Sequence, residues 1–244
     1  MIEIQGVKKK FEGKWVLDGV DLSIRKGDTL VIVGKSGCGK TVLLKSMIGL
    51  IQPEHGKILI DGKDIIGLRH RELYRIRKKF GMLFQGAALF DSMTVEENVG
   101  LPLMEHTRLS SAEVSRKVSE KLELVGLPGI EDKKPAELSG GMRKRVGLAR
   151  ALMMEPEIVL YDEPTTGLDP VTSVKINELI AEMNDRLKVT SIAVTHDMHS
   201  AFKIGRRIAM LHSGKVVFDG TVREFQKSKD PLVQGFLEYQ RQEI

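Results

Sequence analysis

A glycine-rich segment from Gly34 to Thr41, reading GKSGCGKT, constrains the fold of this 244-residue chain more than any other feature. It follows Thr29 to Val33, a short apolar run that suits a buried strand, and it precedes Val42 to Leu50, whose apolar spacing is helical. Glycines let backbone N–H groups turn inward around phosphate oxygens, and the start of the next helix attracts the same anion. The segment therefore predicts a strand, a phosphate-binding loop and a helix in succession.

The side chains at the end of this loop match the Walker A pattern. Lys40 is placed to reach the β- and γ-phosphates of a nucleotide, and the hydroxyl of Thr41 is placed to ligate Mg²⁺. A glycine-rich turn followed by a chance Lys-Thr pair is the alternative, but the flanking strand and helix favour the phosphate loop. Cys38 has no visible His or Asp pairing in the sequence, so we interpret it as a small loop residue.

A second apolar run, Ile158 to Tyr161, ends in two carboxylates, Asp162 and Glu163. Alternation along a strand sends neighbouring side chains to opposite sides. We therefore assign Asp162 to Mg²⁺, through water, and Glu163 to the attacking water as general base. A cluster of helix-capping acids is the alternative, and the upstream phosphate loop makes it the weaker one.

The run Leu138 to Met142 opens a helix at Ser139-Gly140-Gly141. Ser139 suits an N-cap, and the glycines leave backbone N–H groups open to an anion. Such a sequence is often only a cap, but here it would lie in a helical insertion and could cover the nucleotide of a second copy. The cationic residues that follow are interpreted as a solvated helix face or as contacts to the sheet, in preference to a nucleic-acid patch: Arg143, Lys144 and Arg145.

Composition limits the compartment in which the chain can work and the ways in which it can reach a membrane. The net charge of +5, from 38 basic and 33 acidic residues, is too small to select a partner. A single cysteine excludes an internal disulfide and fits a reducing compartment. The N-terminus lacks the features of a secretory signal or transit peptide, and the longest apolar runs are too short to span a bilayer. Any role at a membrane is expected to need a partner.

Further patterns complete an α/β sheet with a helical insertion. Alternating apolar residues near the start indicate antiparallel strands, and Asp61-Gly62 and Ser213-Gly214 indicate hairpin turns. Ser110 with Glu113 forms a capping box, and residues 90–153 are expected to be mostly helical. Other expected elements are strands at Lys57–Ile60, Phe80–Phe84, Ser191–Thr195, Ile208–Leu211 and Val216–Phe218, and a helix over Thr172–Leu187.

The order of these motifs resembles the ATP-binding cassette (ABC) ATPase family over nearly the whole chain. Besides the phosphate loop and the acidic pair, Gln85 resembles the family's Q-loop and His196 its switch histidine. Leu138 to Met142 resembles the LSGGQ signature, and Gly167 to Asp169 the D-loop. The resemblance implies a P-loop NTPase core with an antiparallel β subdomain (1–88 and 156–228), an inserted helical subdomain (89–155) and a tail helix (229–244).

The resemblance also implies ATP as substrate, Mg²⁺ as cofactor, and a head-to-tail homodimer that encloses two ATP molecules. Gln85 would then sense Mg²⁺ and the attacking water near the transport partner, and His196 would hold the γ-phosphate. Phe11 would stack on adenine beside Val16, although a core position at a strand end is the alternative for Phe11. The implied nucleotide-binding set is Phe11, Val16, Gly34, Lys35, Ser36, Gly37, Cys38, Gly39, Lys40, Thr41 and Val42, with Ser139, Gly140 and Gly141 acting on the partner's ATP.

Within the family, the stretch from Phe84 to Val99 and the run from Leu138 to Arg145 resemble the Mla (maintenance of lipid asymmetry) branch. Asp91-Ser92 stands where many importers carry proline. This branch implies phospholipid transport between bacterial membranes, at the cytoplasmic face of the inner membrane. The implied partners are a membrane permease, an MCE-type lipid-binding protein and a STAS-domain protein, with no nucleic acid.

Two departures from the family pattern are visible. Met142 replaces the usual glutamine and loses its polar contact, while Phe11 replaces a commoner tyrosine and keeps only the stacking surface. The other functional classes are another ABC importer or exporter, a soluble ABC ATPase acting on nucleic acid or ribosomes, and a small-molecule kinase. A tail helix, capped by Asp230, is expected to cover the chain's own core or to pack on the second subunit.

Overall fold

The computed structural model describes residues 1–242, which fold into two β-sheets surrounded by helices. In chain order the elements are β1 (Ile2–Phe11), β2 (Lys14–Ile24), β3 (Thr29–Val33), α1 (Lys40–Met47), β4 (His55–Ile60), β5 (Lys63–Asp64), α2 (His70–Arg77), β6 (Phe80–Leu83), α3 (Val95–His106), α4 (Ser111–Leu124), a 3₁₀ turn (Pro135–Glu137), α5 (Gly140–Ala151), β7 (Ile158–Asp162), α6 (Pro170–Leu187), β8 (Thr190–Thr195), α7 (Met198–Ile204), β9 (Arg207–His212), β10 (Lys215–Thr221), α8 (Val222–Lys227) and α9 (Pro231–Gln242).

The two sheets differ in strand direction. The first has the order β2-β1-β4-β5 and is antiparallel throughout. The second has the order β10-β9-β3-β8-β7-β6, with parallel pairing from β9 to β6 and an antiparallel edge strand, β10. The carboxyl ends of β3, β8, β7 and β6 therefore meet at one edge, which is where open α/β sheets bind ligands.

Strand β3 lies at the centre of the hydrophobic core, and all five of its residues are buried. Val31 and Val33 pack into the cluster formed with the helical insertion and α6. Leu30 and Ile32 pack into a second cluster, with α1 and the antiparallel sheet. Burial of each such side chain contributes about 1.5–3 kcal/mol, so the strand before the phosphate loop is firmly fixed.

The segment between β6 and β7 is helical, as predicted. The capping box of Ser110 and Glu113 is present at the start of α4, and a second one, formed by Thr94 and Glu97, begins α3. Gly126, with φ +69°, follows the end of α4. These local signals set where the helices begin and end, and α3, α4 and α5 then pack on one another, with α5 against the edge strand β6.

Both predicted hairpin turns are present. Asp61 and Gly62 have φ values of +50° and +79°, and Ser213 and Gly214 have φ values of +47° and +75°. Two successive positive φ values define the type I′ turn that matches the twist of paired strands. These turns join β4 to β5 and β9 to β10.

Several helices differ from the predictions: α6 begins at Pro170 and not at Thr172, and α7 and α8 were not predicted. Helix α1 begins at Lys40, two residues before the predicted start, because Gly39 with φ +106° forms its N-cap. It ends at Met47 because Gly49 has φ +65° and a Cβ there would lie 2.9 Å from Leu73. Helix α2 was not predicted because it is mostly polar: five of its eight residues are charged or histidine, and Ile76 is its one buried residue.

The tail forms the predicted helix, α9. Its first turn is capped by Asp230, whose Oδ1 accepts hydrogen bonds from the amides of Leu232 at 2.8 Å and Val233 at 3.4 Å. Val233 and Phe236 are buried in the chain's own core. Residues 243–244 of the predicted tail lie outside the described residues. Within residues 1–242, no helix combines the length and apolarity needed to cross a membrane.

Candidate active site

The loop from Gly34 to Gly39 connects β3 to α1 at the carboxyl edge of the large sheet. A side chain at Gly34, which has φ +155°, would lie 2.3 Å from the carbonyl oxygen of Leu211. At Gly39, with φ +106°, a Cβ would lie 2.9 Å from the carbonyl oxygen of Val16. Both positions therefore require glycine for the tight approach of the loop to its neighbours.

Lys40 is buried with 5% of its surface exposed. Its Nζ donates hydrogen bonds to the carbonyl oxygens of Gly34 at 2.8 Å and Lys35 at 3.2 Å. It also lies 3.6 Å from Oε1 of Glu163. The ammonium group is thus held inside the loop, beside the carboxylate predicted to be the general base.

The predicted metal ligands Thr41 and Asp162 are in direct contact. Oγ1 of Thr41 donates a 2.7 Å hydrogen bond to Oδ1 of Asp162, across 121 residues of sequence. Asp162 is the last residue of β7 and is buried. This pair brings two oxygen ligands of the kind that Mg²⁺ prefers to the mouth of the loop.

Glu163 leaves the strand instead of continuing it. Its φ is +47°, and its amide donates a 2.9 Å hydrogen bond to the carbonyl oxygen of Val194 on β8. We predicted that alternation along the strand separates the two acids. That explanation is wrong, because β7 ends at Asp162 and Glu163 is not part of the strand. A left-handed backbone turn gives Glu163 different partners from those of Asp162.

The side chain of Glu163 joins the loop to the end of β8. Its Oε2 lies 2.9 Å from Nδ1 of His196 and accepts a 3.3 Å hydrogen bond from the hydroxyl of Thr166. The imidazole of His196 is 46% exposed, whereas the carboxylate of Glu163 is 10% exposed. Glu163 is therefore held in place, while His196 still faces the open side of the site.

Lys40, Thr41, Glu163 and His196 line one cavity of about 220 Å³, whereas Asp162 lies behind Thr41, outside the lining. Its wall combines the phosphate loop, the start of α1, Gln85 after β6, Glu163 after β7 and His196 after β8. The lining residues are Val16, Ser36, Gly37, Gly39, Lys40, Thr41, Val42, Gln85, Glu163 and His196.

Three residues of the predicted loop set lie outside that lining: Gly34, Lys35 and Cys38. Gly34 and Lys35 accept hydrogen bonds from Lys40, as described above, and Nζ of Lys35 lies 5.0 Å from the ring centroid of Tyr239 on α9. Burial raises the pKa of the Cys38 thiol, against the opposing effect of Lys40. A raised pKa favours the protonated thiol over the nucleophilic thiolate, which agrees with the interpretation of Cys38 as a small loop residue.

Phe11 is a surface residue at the end of β1. It is 45% exposed, and Nζ of Lys9 lies 5.1 Å from the centroid of its ring. The alternative that Phe11 is a core residue is therefore wrong. Val16, on the neighbouring strand β2, lines the cavity.

The predicted signature residues do not line the cavity of their own chain. Ser139 caps α5 by accepting a 3.2 Å hydrogen bond from the amide of Met142. A Cβ on Gly141 would lie 2.5 Å from the side chain of Thr172, and one on Gly140 would lie 3.0 Å from Leu168. The helix start therefore packs against the segment that begins α6. Met142 packs, partly buried, against the main hydrophobic cluster.

Of the two alternatives for the cationic run, contact with the sheet holds for Lys144, at the ends of two strands, although its partners were not predicted. Lys144 is 5% exposed, and its Nζ donates hydrogen bonds to the carbonyl oxygens of Gln85 and, at 3.1 Å, Glu163. Burial lowers the pKa of Lys144, and the charges of Asp162 and Glu163 oppose that shift. One sequence signal could have predicted the burial of Lys144. It lies three residues after Gly141 and four before Leu148, so it shares a face of α5 with these buried residues. Because Lys144 is buried, Arg143, Lys144 and Arg145 do not form a continuous cationic surface.

The loop, the acidic pair and the strand order together define a phosphate-loop nucleotide hydrolase. The family model for ABC transporters matches residues 17–166. The chain therefore belongs to the ABC transporter family, and its fold is that family's α/β core with an antiparallel sheet and a helical insertion.

The chain is similar to proteins whose names refer to two different transport systems. The probable ribonucleotide transport ATP-binding protein mkl of Mycobacterium leprae (strain TN) is 46% identical over 240 residues, 98% of this chain and 69% of that protein. The intermembrane phospholipid transport system ATP-binding protein MlaF of Escherichia coli (strain K12) is 40% identical over 238 residues, 98% of this chain and 88% of that protein.

Among solved structures, the dimeric bacterial ABC transporter cassette MJ0796 superposes with a TM-score of 0.84 at 36% identity, covering 91% of this chain and 99% of that one. A dimeric post-hydrolysis state of the same cassette, bound to ADP and Pi, has a TM-score of 0.83.

Proposed function

We propose that this chain is the ATP-hydrolysing subunit of an ABC transporter that moves phospholipid between bacterial membranes. The observation that carries the hydrolytic part is the contact of Lys40, Glu163 and His196 at one cavity beside the phosphate loop. The cavity supplies a cation for the phosphates and a fixed carboxylate for water. It lies at the sheet edge where nucleotides bind in folds of this kind.

Binding of ATP uses the loop and the start of α1. Backbone N–H groups of the loop and the N-terminal end of α1 face the phosphates, and Lys40 exchanges its carbonyl partners for β- and γ-phosphate oxygens. Phe11 stacks on the adenine, with Val16, which lines the cavity, packing nearby. The remaining residues of the predicted nucleotide set shape the loop that makes these contacts.

The residues beside the loop fit Mg²⁺. Thr41 and Asp162 offer a hydroxyl and a carboxylate that already contact each other, and Gln85 lines the same cavity. In residues 1–242, no group of three or more His, Cys, Asp or Glu side chains could hold a metal ion. Phosphate oxygens of a bound nucleotide would be further ligands of the kind that Mg²⁺ takes. Bound Mg²⁺ would neutralise charge on the β- and γ-phosphates.

Hydrolysis follows from the placement of Glu163. A water molecule attacks the γ-phosphorus, the bond from that phosphorus to the β–γ bridging oxygen breaks, and ADP and phosphate leave. Glu163 accepts the proton of the attacking water, and His196 contacts the γ-phosphate from the open side. The hydrogen bonds to His196 and Thr166 keep the carboxylate aimed at one position.

The complete site needs a second copy of the chain. Ser139, Gly140 and Gly141 start a helix whose first amides have no partner within the helix, yet they do not line their own chain's cavity. A head-to-tail dimer places them on the γ-phosphate bound by the partner. The dimeric state of the structurally similar cassettes supports this arrangement.

The helical segment would form a separate subdomain (89–155) set against the core (1–88 and 156–228). Beside it, a groove of about 300 Å³ has an apolar floor that includes Phe80, Met82 and Phe84. Gln85 directly follows this floor, so we assign the groove to a segment of the permease. Docking there would make the chain a peripheral protein at the cytoplasmic face of the inner membrane.

The phospholipid substrate is supported by two features. The stretch from Phe84 to Val99 resembles the Mla branch, and the chain spans 90% of the MlaF protein of Haemophilus influenzae, to which it is 41% identical. The substrate path lies in the permease, and an MCE-type protein and a STAS-domain protein complete the proposed system.

Reconstitution tests this substrate. The permease that co-purifies with the chain in detergent is placed in vesicles that contain labelled phospholipid, and ATP-dependent lipid movement is measured. ATP-dependent uptake of ribonucleotides without lipid movement would contradict the lipid proposal. Salt-sensitive RNA binding with no co-purifying permease would contradict the transporter itself.

A further inference from the structure

Lys144 connects two strand ends that both serve the active site. Gln85 follows β6 and Glu163 follows β7, and these neighbouring strands are parallel, with Leu83 opposite Tyr161. The ammonium group of Lys144 donates to the backbone carbonyl oxygen of each residue. One buried side chain therefore holds the backbone of the predicted metal sensor and of the predicted general base.

A charge in this position is costly unless its donors are used. Removing an ammonium group from water is unfavourable, and an apolar side chain of similar length would avoid that penalty. At Lys144, two carbonyl oxygens accept hydrogen bonds, and the carboxylates of Asp162 and Glu163 supply opposite charge. Lys144 thus joins two backbone segments through hydrogen bonds, at a buried position that an apolar side chain could otherwise occupy.

Lys144 lies on α5, the helix that begins with the signature residues Ser139, Gly140 and Gly141. Lys144 is four residues beyond Gly140, the first residue of α5, a rise of about 6 Å along a rigid helix. Any displacement of the start of α5 by a second copy's nucleotide therefore also moves the group that holds Gln85 and Glu163.

Arg150 provides a natural comparison on the same helix. Its guanidinium donates a 2.6 Å hydrogen bond to the carbonyl oxygen of Ala87, so it also contacts the loop that follows β6. Arg150 has no hydrogen bond to Glu163 in the described part of the chain. Lys144 therefore joins the loop to the proposed general base, whereas Arg150 holds the loop.

We infer that Lys144 is a positioning residue for hydrolysis, which aligns Glu163 with Gln85 when α5 is docked on the core. This inference rests on the proposed roles of Glu163 and Gln85. Lys144 does not touch the nucleotide; it acts through the backbone of the two residues that it holds. Turnover therefore requires that α5 is packed on the core. Nucleotide binding at the phosphate loop does not require this packing.

The test compares purified full-length variants with the wild type for ATPase kcat and KM, and for binding of a fluorescent ATP analogue. Lys144→Met removes the donors and keeps the chain length, whereas Lys144→Gln restores N–H donors without charge. Arg143→Met, at an exposed position of the same helix, is the matched control. We expect Lys144→Met to lower kcat by at least tenfold, with KM and binding changed less than twofold, and Lys144→Gln to recover most of kcat.

A second measurement separates positioning from folding. Hydrogen exchange of the amides around residues 85–88 and 163–166 should accelerate in Lys144→Met and not in Arg143→Met, while Arg150→Met should affect residues 85–88 alone. A wild-type kcat in Lys144→Met overturns the inference, as does an equal loss of binding and kcat that Lys144→Gln fails to restore. Glu163→Gln is assayed in parallel: wild-type turnover there would refute the proposed general base, independently of the Lys144 result.

Discussion

Nδ1 of His196 lies 2.9 Å from Oε2 of Glu163, although 33 residues separate them in sequence. The contact arises because β7 and β8 are parallel neighbours whose carboxyl ends reach the same edge. The amide of Glu163 also bonds to Val194 at the end of β8. Glu163 is therefore fixed through both its backbone and its carboxylate, which suits the general base proposed for it.

Replacing Glu163 with glutamine should abolish turnover while ATP still binds. The amide keeps nearly the same shape but cannot accept a proton, and general-base catalysis is worth about 10²–10⁴-fold. Phosphate release should fall by that factor, and size-exclusion chromatography with ATP should show a trapped dimer. Thr166→Val, which removes only the 3.3 Å hydrogen bond to the carboxylate, should have a much smaller effect. Normal turnover by Glu163→Gln would refute the assignment.

Lys40→Ala should weaken nucleotide binding itself. Hydrogen bonds to charged groups contribute about 1.5–3 kcal/mol, so the dissociation constant of ATP should rise roughly ten- to hundredfold at 1.4 kcal/mol per decade. Equilibrium titration with a fluorescent ATP analogue measures this change. Lys45→Ala, on the same helix but outside the cavity lining, is the control and should bind normally. Unchanged affinity in Lys40→Ala would mean that the lysine does not contact phosphate.

Sequence reasoning succeeded where the signal was local. The loop at Gly34–Thr41, the Ser110 capping box and the turn at Asp61-Gly62 each depend on residues a few positions apart, and all three are present. It failed where conformation depended on distant packing. The positive φ of Glu163 and the contact of Lys144 with Gln85, 59 residues away, come from the alignment of strand ends. No local pattern encodes that alignment.

Asp162→Asn should raise the Mg²⁺ concentration needed for half-maximal ATPase activity. The amide presents only one acceptor oxygen, carries no negative charge and disturbs the 2.7 Å hydrogen bond with Thr41. Changes to outer-shell partners typically cost about 10–100-fold in metal affinity. Titration of activity with Mg²⁺ gives the shift, and Asp185→Asn, an exposed carboxylate paired with Arg206, should leave the curve in place. An unchanged requirement would place the metal away from Asp162.

Phe11→Ala should weaken ATP binding, whereas Phe11→Tyr should preserve it. Stacking of a base on an aromatic ring is worth about 1–3 kcal/mol, and the exposed ring of Phe11 has no core role that alanine would disrupt. Trp15→Ala is the informative control, because Trp15 is 39% exposed on the paired strand β2. Comparison of ATP with GTP and inorganic triphosphate would show that the loss concerns the base. Weakening in Trp15→Ala alone would transfer the adenine contact to Trp15.

Phe236→Ala should destabilise the fold, because α9 covers the chain's own core. Phe236 is 2% exposed and belongs to the main hydrophobic cluster, and truncation of a buried phenylalanine costs about 3–5 kcal/mol. Denaturant unfolding of the monomer measures this loss, with Leu232→Ala as control, since Leu232 is 43% exposed and surface changes stay within about 0.5 kcal/mol. A tail that served only to pack on a second subunit would give the opposite result: unchanged monomer stability and weakened dimerisation. Deletion of residues 230–244 should therefore lower stability even under conditions in which no dimer forms.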